Sequence, residues 1–219
     1  MFIASKRPGA GKSYLAKKYL DKYEKDETLV ICPTRMLTLE YITEGYNATT
    51  YASALGMRIN DEGIEQNAER LDLTPFRCVL LDEMGMLKIS DKQKIRRHII
   101  NKYPNLKILG AGDENQNPPW DNNLYTTEPR GLHKTHIYSM FPCVIELFIC
   151  KRMKREDDRA KIDRVYEILQ LDSEDEKIDD KKCIADAIKY LELQKLSNKS
   201  ELLASDLIIT HTTPMRDIT

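Results

Sequence analysis

The chain has 219 residues, 41% hydrophobic and 32% charged, which supplies one sizeable core plus a small appendage and excludes wholesale disorder or collagen-like structure. Thirty-four lysines and arginines stand against 35 aspartates and glutamates, a net charge of -1. The protein as a whole therefore does not attract nucleic acid or membrane, and any polyanion site is a local groove.

No apolar run approaches the roughly 20 residues that cross a bilayer. Met1 to Lys6 lacks the charged-then-apolar layout of a secretory signal, so a soluble intracellular chain, cytoplasmic or nuclear, with no membrane partner is expected. The five cysteines (Cys32, Cys78, Cys143, Cys150, Cys183) never show Cys-x-x-Cys spacing. They read as reduced core thiols rather than a zinc site.

In chain order, short β-rich runs alternate with longer helical ones, the pattern of a parallel sheet covered by helices on both faces. Predicted strands are Phe2 to Ser5, Thr28 to Cys32, Cys78 to Leu81, Leu106 to Gly110, Val144 to Phe148 and Leu207 to Thr210. A first helix is predicted from about Gly11 to Tyr23, with Leu15, Tyr19 and Leu20 on its buried face. A second starts at Ser90, with Gln93 completing a capping box, stops before Pro104 and buries Ile95 and Ile99. A third, near Asp179 to Leu196, places Ile184, Ala187, Ile188 and Leu191 on one face. The acidic run Asp172 to Asp180 before it reads as a solvated connector rather than a docking strip. Leu124 to Met140 has no clear period and reads as a long loop.

The strongest local signal is Pro8-Gly9-Ala10-Gly11-Lys12-Ser13, after a strand and opening a helix, the context a phosphate-binding loop requires. Glycines with positive φ bring successive amides onto phosphate oxygens, and the helix N-terminus adds partial positive charge. Lys12 would neutralise the β and γ phosphates, and Ser13 would ligate Mg2+. The full pattern has a glycine at position 6, where this chain has Lys6, so a differently shaped approach to the loop is expected. Seventy residues on, Val79-Leu80-Leu81 ends in Asp82 and Glu83. At the C-terminal end of a buried parallel strand these acids face the ligand crevice: Asp82 to hold magnesium, Glu83 to orient or deprotonate water. Ile108 to Gln116 ends another apolar strand in polar groups, with Gln116 placed to bond water or the γ-phosphate. A further strand delivers Lys151, Arg152, Lys154 and Arg155, one of which could meet transition-state charge in bidentate geometry.

The order of these motifs resembles the superfamily one helicases, particularly the branch of RecD-like DNA helicases and their viral and mobile-element relatives. The resemblance rests on the phosphate loop, Cys32-Pro33-Thr34-Arg35, Ala48-Thr49-Thr50 with Leu55-Gly56, Asp82 to Leu87, Gly112 to Pro119, and Leu147 with Arg152. It implies a three-layer RecA-like P-loop α/β fold with a mainly parallel sheet, ATP and Mg2+ as ligands, and hydrolysis coupled to translocation along single-stranded nucleic acid, DNA rather than RNA. By the same resemblance Pro33, Thr34, Arg35 and Thr50 contact strand phosphates, Gln116 couples nucleotide to strand, and Lys12, Glu83, Gln116 and Arg152 are the catalytic set. Trp120 either stacks on a base, typically worth about 1–3 kcal/mol, or is a core indole.

Ala52, Asn117 and Cys150 depart from the usual histidine, leucine and polar residue of these motifs. The adenine-reading glutamine segment is not found upstream of the first strand, which leaves base selectivity open. Residues 1–205 are expected to form the first motor domain, with 57–77 as a short inserted protrusion turning at Asn60 to Gly63, or a surface helix from Glu62 to Arg70. Residues 206–219 read as the start of a second motor domain or as a final strand; the rest of the second domain would be supplied in cis or in trans. The competing readings are a small nucleotide or nucleoside kinase, and a nucleic-acid-binding P-loop module without unwinding activity.

Overall fold

The structure, a computed structural model of the chain, describes residues 1–59, 65–67, 69–113, 136–170 and 179–191. Six parallel strands form one sheet in the order β3-β2-β6-β7-β1-β8. They are β1 (Phe2–Ser5), β2 (Thr28–Cys32), β3 (Asn47–Thr50), β6 (Cys78–Leu81), β7 (Lys107–Asp113) and β8 (Val144–Leu147). Strands β4 (Met57–Ile59) and β5 (Glu65–Asn67) pair antiparallel as a separate hairpin. The stretch therefore forms a hairpin and not the surface helix from Glu62 to Arg70; Asn60 to Gly63 lie outside the described residues.

Both sheet faces are covered, which is why the central strands are continuous apolar runs. Alternate residues feed different layers. Phe2, Ala4, Leu29, Ile31, Val79 and Leu81 pack on one side with Tyr51, Ile95, Ile99, Ile137 and Phe141. Ile3, Val30, Cys32, Leu80, Leu109 and Ala111 pack on the other with Ala16, Leu20 and Tyr41. Helices α1 (Lys12–Leu20) and α2 (Arg35–Thr43) thus cover the second face. The first is covered by α3 (Tyr51–Ala54), α4 (Ile89–Ile95, running on as a π-turn over Arg96–Ile100) and residues 137–141. Two further helices are α5 (Glu156–Ile168) and α6 (Asp180–Tyr190).

Several sequence expectations are corrected. Helix α4 is capped at Lys88, and Ser90 lies inside its first turn, because burial of Met84 and Leu87 fixes where the chain arrives. Ile95 and Ile99 are buried as expected. Strand β7 continues through Gly110 and Gly112 to Asp113. A Cβ at Gly110 would come within 2.6 Å of the rings of Phe2 and Phe141, so this glycine serves close packing rather than a turn. The end of the Leu124 to Met140 stretch is core, since Ile137 and Met140 are buried. In α6, Asp179 caps Lys182 and Ala187 is buried, but Ile184, Ile188 and Leu191 are exposed. The strand predicted at Leu207 to Thr210 lies outside the described residues. All five cysteines are free; Cys143 is exposed and the other four are buried. No described helix is long and apolar enough to cross a membrane.

Candidate nucleotide site and its strand-facing edge

The loop between β1 and α1 carries Gly9 at φ 67° and Gly11, the N-cap of α1, at φ 93°. No side chain caps α1, so its first-turn amides stay available to an anion. Lys6 has an ordinary negative φ and is buried, with its Nζ 3.4 Å from Glu146 Oε1 on β8 and its amide donating to the Leu147 carbonyl. The approach to the loop is thus held by the neighbouring strand where the full motif uses a glycine. The segment after β8 closes over the loop as well. The amides of Lys151 and Arg152 donate to the Gly9 carbonyl at 2.9 and 3.2 Å. A Cβ on Gly9 would come 2.5 Å from Arg152 Cβ, so Arg152 lies directly against the loop. Arg7 anchors α5 to the same place: its Nε bonds Asp163 at 2.6 Å and its guanidinium sits 4.4 Å from the Tyr166 ring centroid.

Strand β7 lies between β1 and β6, so Lys12 must reach across the end of β7 to meet the acids after β6. It does: Lys12 Nζ donates to Glu83 Oε1 at 2.8 Å, with side-chain exposures of 8% and 16%. Glu83 occupies the left-handed region, φ 51°, at a cost of order 1–3 kcal/mol for a non-glycine residue. The turn that follows packs so tightly under β7 that a Cβ on Gly85 would lie 2.1 Å from the Asp113 carbonyl oxygen. Asp113 itself is buried beside Ser5 in the register.

Asp82 is buried, and each of its oxygens accepts a hydrogen bond. Oδ2 accepts from Tyr41 Oη at 2.9 Å, Oδ1 from the Glu83 amide at 3.0 Å, and the carbonyl from Tyr51 Oη at 2.9 Å. Burial first, then the neighbouring Glu83 charge, push its carboxyl above the usual carboxylate range, against the opposing pull of the Tyr41 hydrogen bond and of Lys12. Burial and the Asp82 charge in turn raise both tyrosine hydroxyls well above their ordinary value. The same causes push the Cys32 thiol up to about 12.

Two carboxylates therefore face one lysine, and Glu83 Oε2 is buried with no hydrogen-bond partner among the described residues. A buried excess of anionic oxygen suits a hard cation. Asp82 and the exposed Ser13 hydroxyl are oxygen donors of the kind Mg2+ takes, and the residues fit that ion.

On the next two strands along the same edge, Thr34 after β2 and Thr50 after β3 turn out to be helix N-caps. Thr34 Oγ1 accepts from the Leu37 amide at 3.3 Å and Thr50 Oγ1 from the Ser53 amide at 3.2 Å. Cys32 and Thr50 are paired in register, so α2 and α3 begin side by side, with Pro33 partly buried and Arg35 exposed. Gln116 and Trp120 lie outside the described residues. Tyr41 and Tyr51 escaped the sequence reading. Their one signal is an aromatic with a polar tip in a core position, which demands a buried partner.

This sheet order and this loop define a RecA-like P-loop α/β fold. The chain belongs to the AAA-domain family, whose sequence model, described as an AAA domain, matches residues 1–122. No curated protein shows significant sequence similarity to the chain. Among solved structures, Bacteroides Pif1 bound to single-stranded DNA is similar over 100% of this chain and 51% of its own, with 17% identity and a TM-score of 0.56. Bacteroides Pif1 in complex with ADP-AlF4 is similar over 99% and 51%, with 17% identity and a TM-score of 0.55. Pif1 helicase from Candida albicans is similar over 77% and 40%, with 19% identity and a TM-score of 0.50. The chain spans about half the length of the Bacteroides proteins it matches. These likenesses uphold the RecA-like P-loop fold that the motif resemblance implies.

Proposed function

We propose that the chain is the first motor domain of an ATP-dependent helicase, hydrolysing Mg-ATP and coupling it to binding and translocation on single-stranded nucleic acid, DNA in preference to RNA. The observation that carries this reading is the meeting of Lys12 and Glu83 across the end of β7, 2.8 Å apart, on the sheet edge where α2 and α3 also start. Phosphate arriving on the loop amides competes with Glu83 for Lys12. Glu83 released from Lys12 becomes free to orient water, and Arg152, which packs against Gly9, is assigned to γ-phosphate charge. Ser13 and Asp82 would hold the magnesium, whose chemistry is Lewis-acid neutralisation of phosphate oxygens. Gln116 is assigned to the water or the γ-phosphate. Thr34 and Thr50 order helix starts whose free amides, with Pro33 and Arg35, take strand phosphates; Trp120 is assigned to base stacking. The second motor domain, in cis or in trans, supplies the closing half.

ATP turnover by the chain is expected to be slow and stimulated by oligo-dT more than by oligo-U, and Lys12→Ala abolishes it. Phosphoryl transfer to nucleoside monophosphates with no polymer effect would replace this reading with a kinase. Strand binding untouched by nucleotide would replace it with a passive binding module.

A further inference from the structure

The bonds to Asp82 come from an unexpected side. Apart from the adjacent Glu83 amide, each hydrogen bond to it among the described residues is made by the β2–α2–α3 region, not by the phosphate loop. Its amide donates to the Ile31 carbonyl on β2 at 2.9 Å. Its Oδ2 is held by Tyr41 on α2, the helix that Thr34 caps. Its carbonyl is held by Tyr51, the first residue of α3 and the neighbour of the Thr50 cap. Both tyrosines are buried, with 3% and 4% of their surface exposed, and their ring packing would be served equally by phenylalanine. The hydroxyls are what reach Asp82, and a core hydroxyl holds its place only through such a partner.

We infer that Tyr41 and Tyr51 are positioning residues that tie the two strand-facing helix starts to Asp82, so that single-strand binding and Mg-nucleotide binding strengthen one another. The inference rests on the proposed function and adds the residues that carry the coupling. A strand lying across the starts of α2 and α3 fixes those helices. Through two hydroxyls 2.9 Å from Asp82 it also fixes the carboxylate assigned to the metal. By linkage, nucleotide that needs Asp82 in place favours the strand by the same factor.

The test measures the affinity of fluorescein-labelled oligo-dT with and without saturating Mg-AMP-PNP, and the affinity of Mg-mant-ADP with and without oligo-dT. The wild-type chain is expected to show mutual tightening of at least about fivefold. Tyr41→Phe and Tyr51→Phe each reduce that factor below about twofold and leave the affinity for oligo-dT alone unchanged. Tyr46→Phe is the control: Tyr46 is buried against the Tyr41 ring, but its hydroxyl bonds a different carboxylate, Asp21 at 3.1 Å, and it should keep the wild-type factor. Wild-type coupling retained by both Asp82-linked variants, or lost equally in Tyr46→Phe, overturns the inference while the helicase reading stands. Absence of nucleotide binding in the wild type, or binding unchanged by Lys12→Ala, overturns both. A second measurement needs no variant. Mg-AMP-PNP without DNA should slow hydrogen exchange in residues 34–43 and 50–55, and unchanged exchange there also overturns the inference.

Discussion

The ion pair between Lys12 and Glu83 makes a sharp prediction about the nucleotide-free protein. Removing one partner of a fully buried pair typically costs about 3–5 kcal/mol. Here Glu83 keeps 16% side-chain exposure at an open sheet edge, so water recovers part of that, yet its Oε2 is already without a partner among the described residues and Lys12→Ala strips Oε1 as well. We therefore expect Lys12→Ala to cost about 2–3 kcal/mol, the desolvation penalty of an orphaned carboxylate. At about 2–4 °C per kcal/mol for a domain of this size, the melting temperature should fall by about 5–10 °C. Glu83→Gln should also destabilise, by leaving the Lys12 ammonium without its carboxylate. The double variant should recover at least about 1 kcal/mol relative to the sum of the two. The assay is thermal unfolding of the four proteins without nucleotide, then with Mg-ADP at about 100 times its Kd, which should stabilise the wild type by about 2.7 kcal/mol. Lys12→Ala should show none of that gain, and Glu83→Gln, with Lys12 released, should show it in full. Additive effects, or a Lys12→Ala protein that melts with the wild type, would refute the claim that this pair is a buried and mutually dependent unit.

Asp82→Asn is expected to stabilise the nucleotide-free fold at neutral pH while abolishing magnesium-dependent nucleotide binding. A carboxyl raised above its unfolded value means that the folded state binds more protons between the two values, so stability falls as pH rises through that window and the penalty is fully present above the folded value. Thermal melts from pH 7 downward should therefore show the advantage of Asp82→Asn shrinking with acidification; an advantage that grows would contradict the burial argument. Gly85→Ala places a Cβ 2.1 Å from the Asp113 carbonyl and should cost at least the about 1–3 kcal/mol of a typical overpacking substitution. It should also weaken Mg-ADP binding, by displacing the Asp82–Glu83 turn. Unchanged melting and binding in that variant would show that the turn and β7 do not constrain one another.

The bounds of β1, β2 and β6 are legible in the sequence because strands buried on both faces are short, mostly apolar and bounded by polar residues. Strand β3, Asn47–Thr50, is not legible as a strand. It lies at the sheet edge, is only partly buried and is polar, so neither periodicity nor composition marks it. Periodicity finds α6 as an amphipathic helix, but the exposure of Ile184, Ile188 and Leu191 depends on what packs there, which no local pattern encodes. In the site, Gly9, Gly11, Lys12, Asp82 and Glu83 were readable because phosphate chemistry demands those residue types in that order. The partner Lys12 takes without nucleotide, and the tyrosines behind Asp82, were not. They are tertiary bonds spanning 71, 41 and 31 residues, set by which strands become neighbours.

That strand order has a consequence for how the site would respond to a ligand. Adjacent acids at the end of β6 belong to different networks: Glu83 turns to α1 through Lys12, and Asp82 turns to α2 and α3 through the tyrosines. The left-handed backbone at Glu83 is what separates them, since an extended residue there would continue the line of the strand. Phosphate on the loop would therefore break the Lys12–Glu83 bond without itself breaking the bonds to Asp82, which leaves how firmly the carboxylate assigned to the metal is held to α2 and α3. The step proposed for Glu83 within this domain would then be a turn from Lys12 toward water, a local side-chain motion. On this arrangement, deleting the tyrosine bonds disturbs the Asp82 half of the site, whereas deleting Lys12 disturbs the Glu83 half. Double variants that combine the two should depart from additivity, because Asp82 and Glu83 are adjacent and the Lys12 charge acts on both.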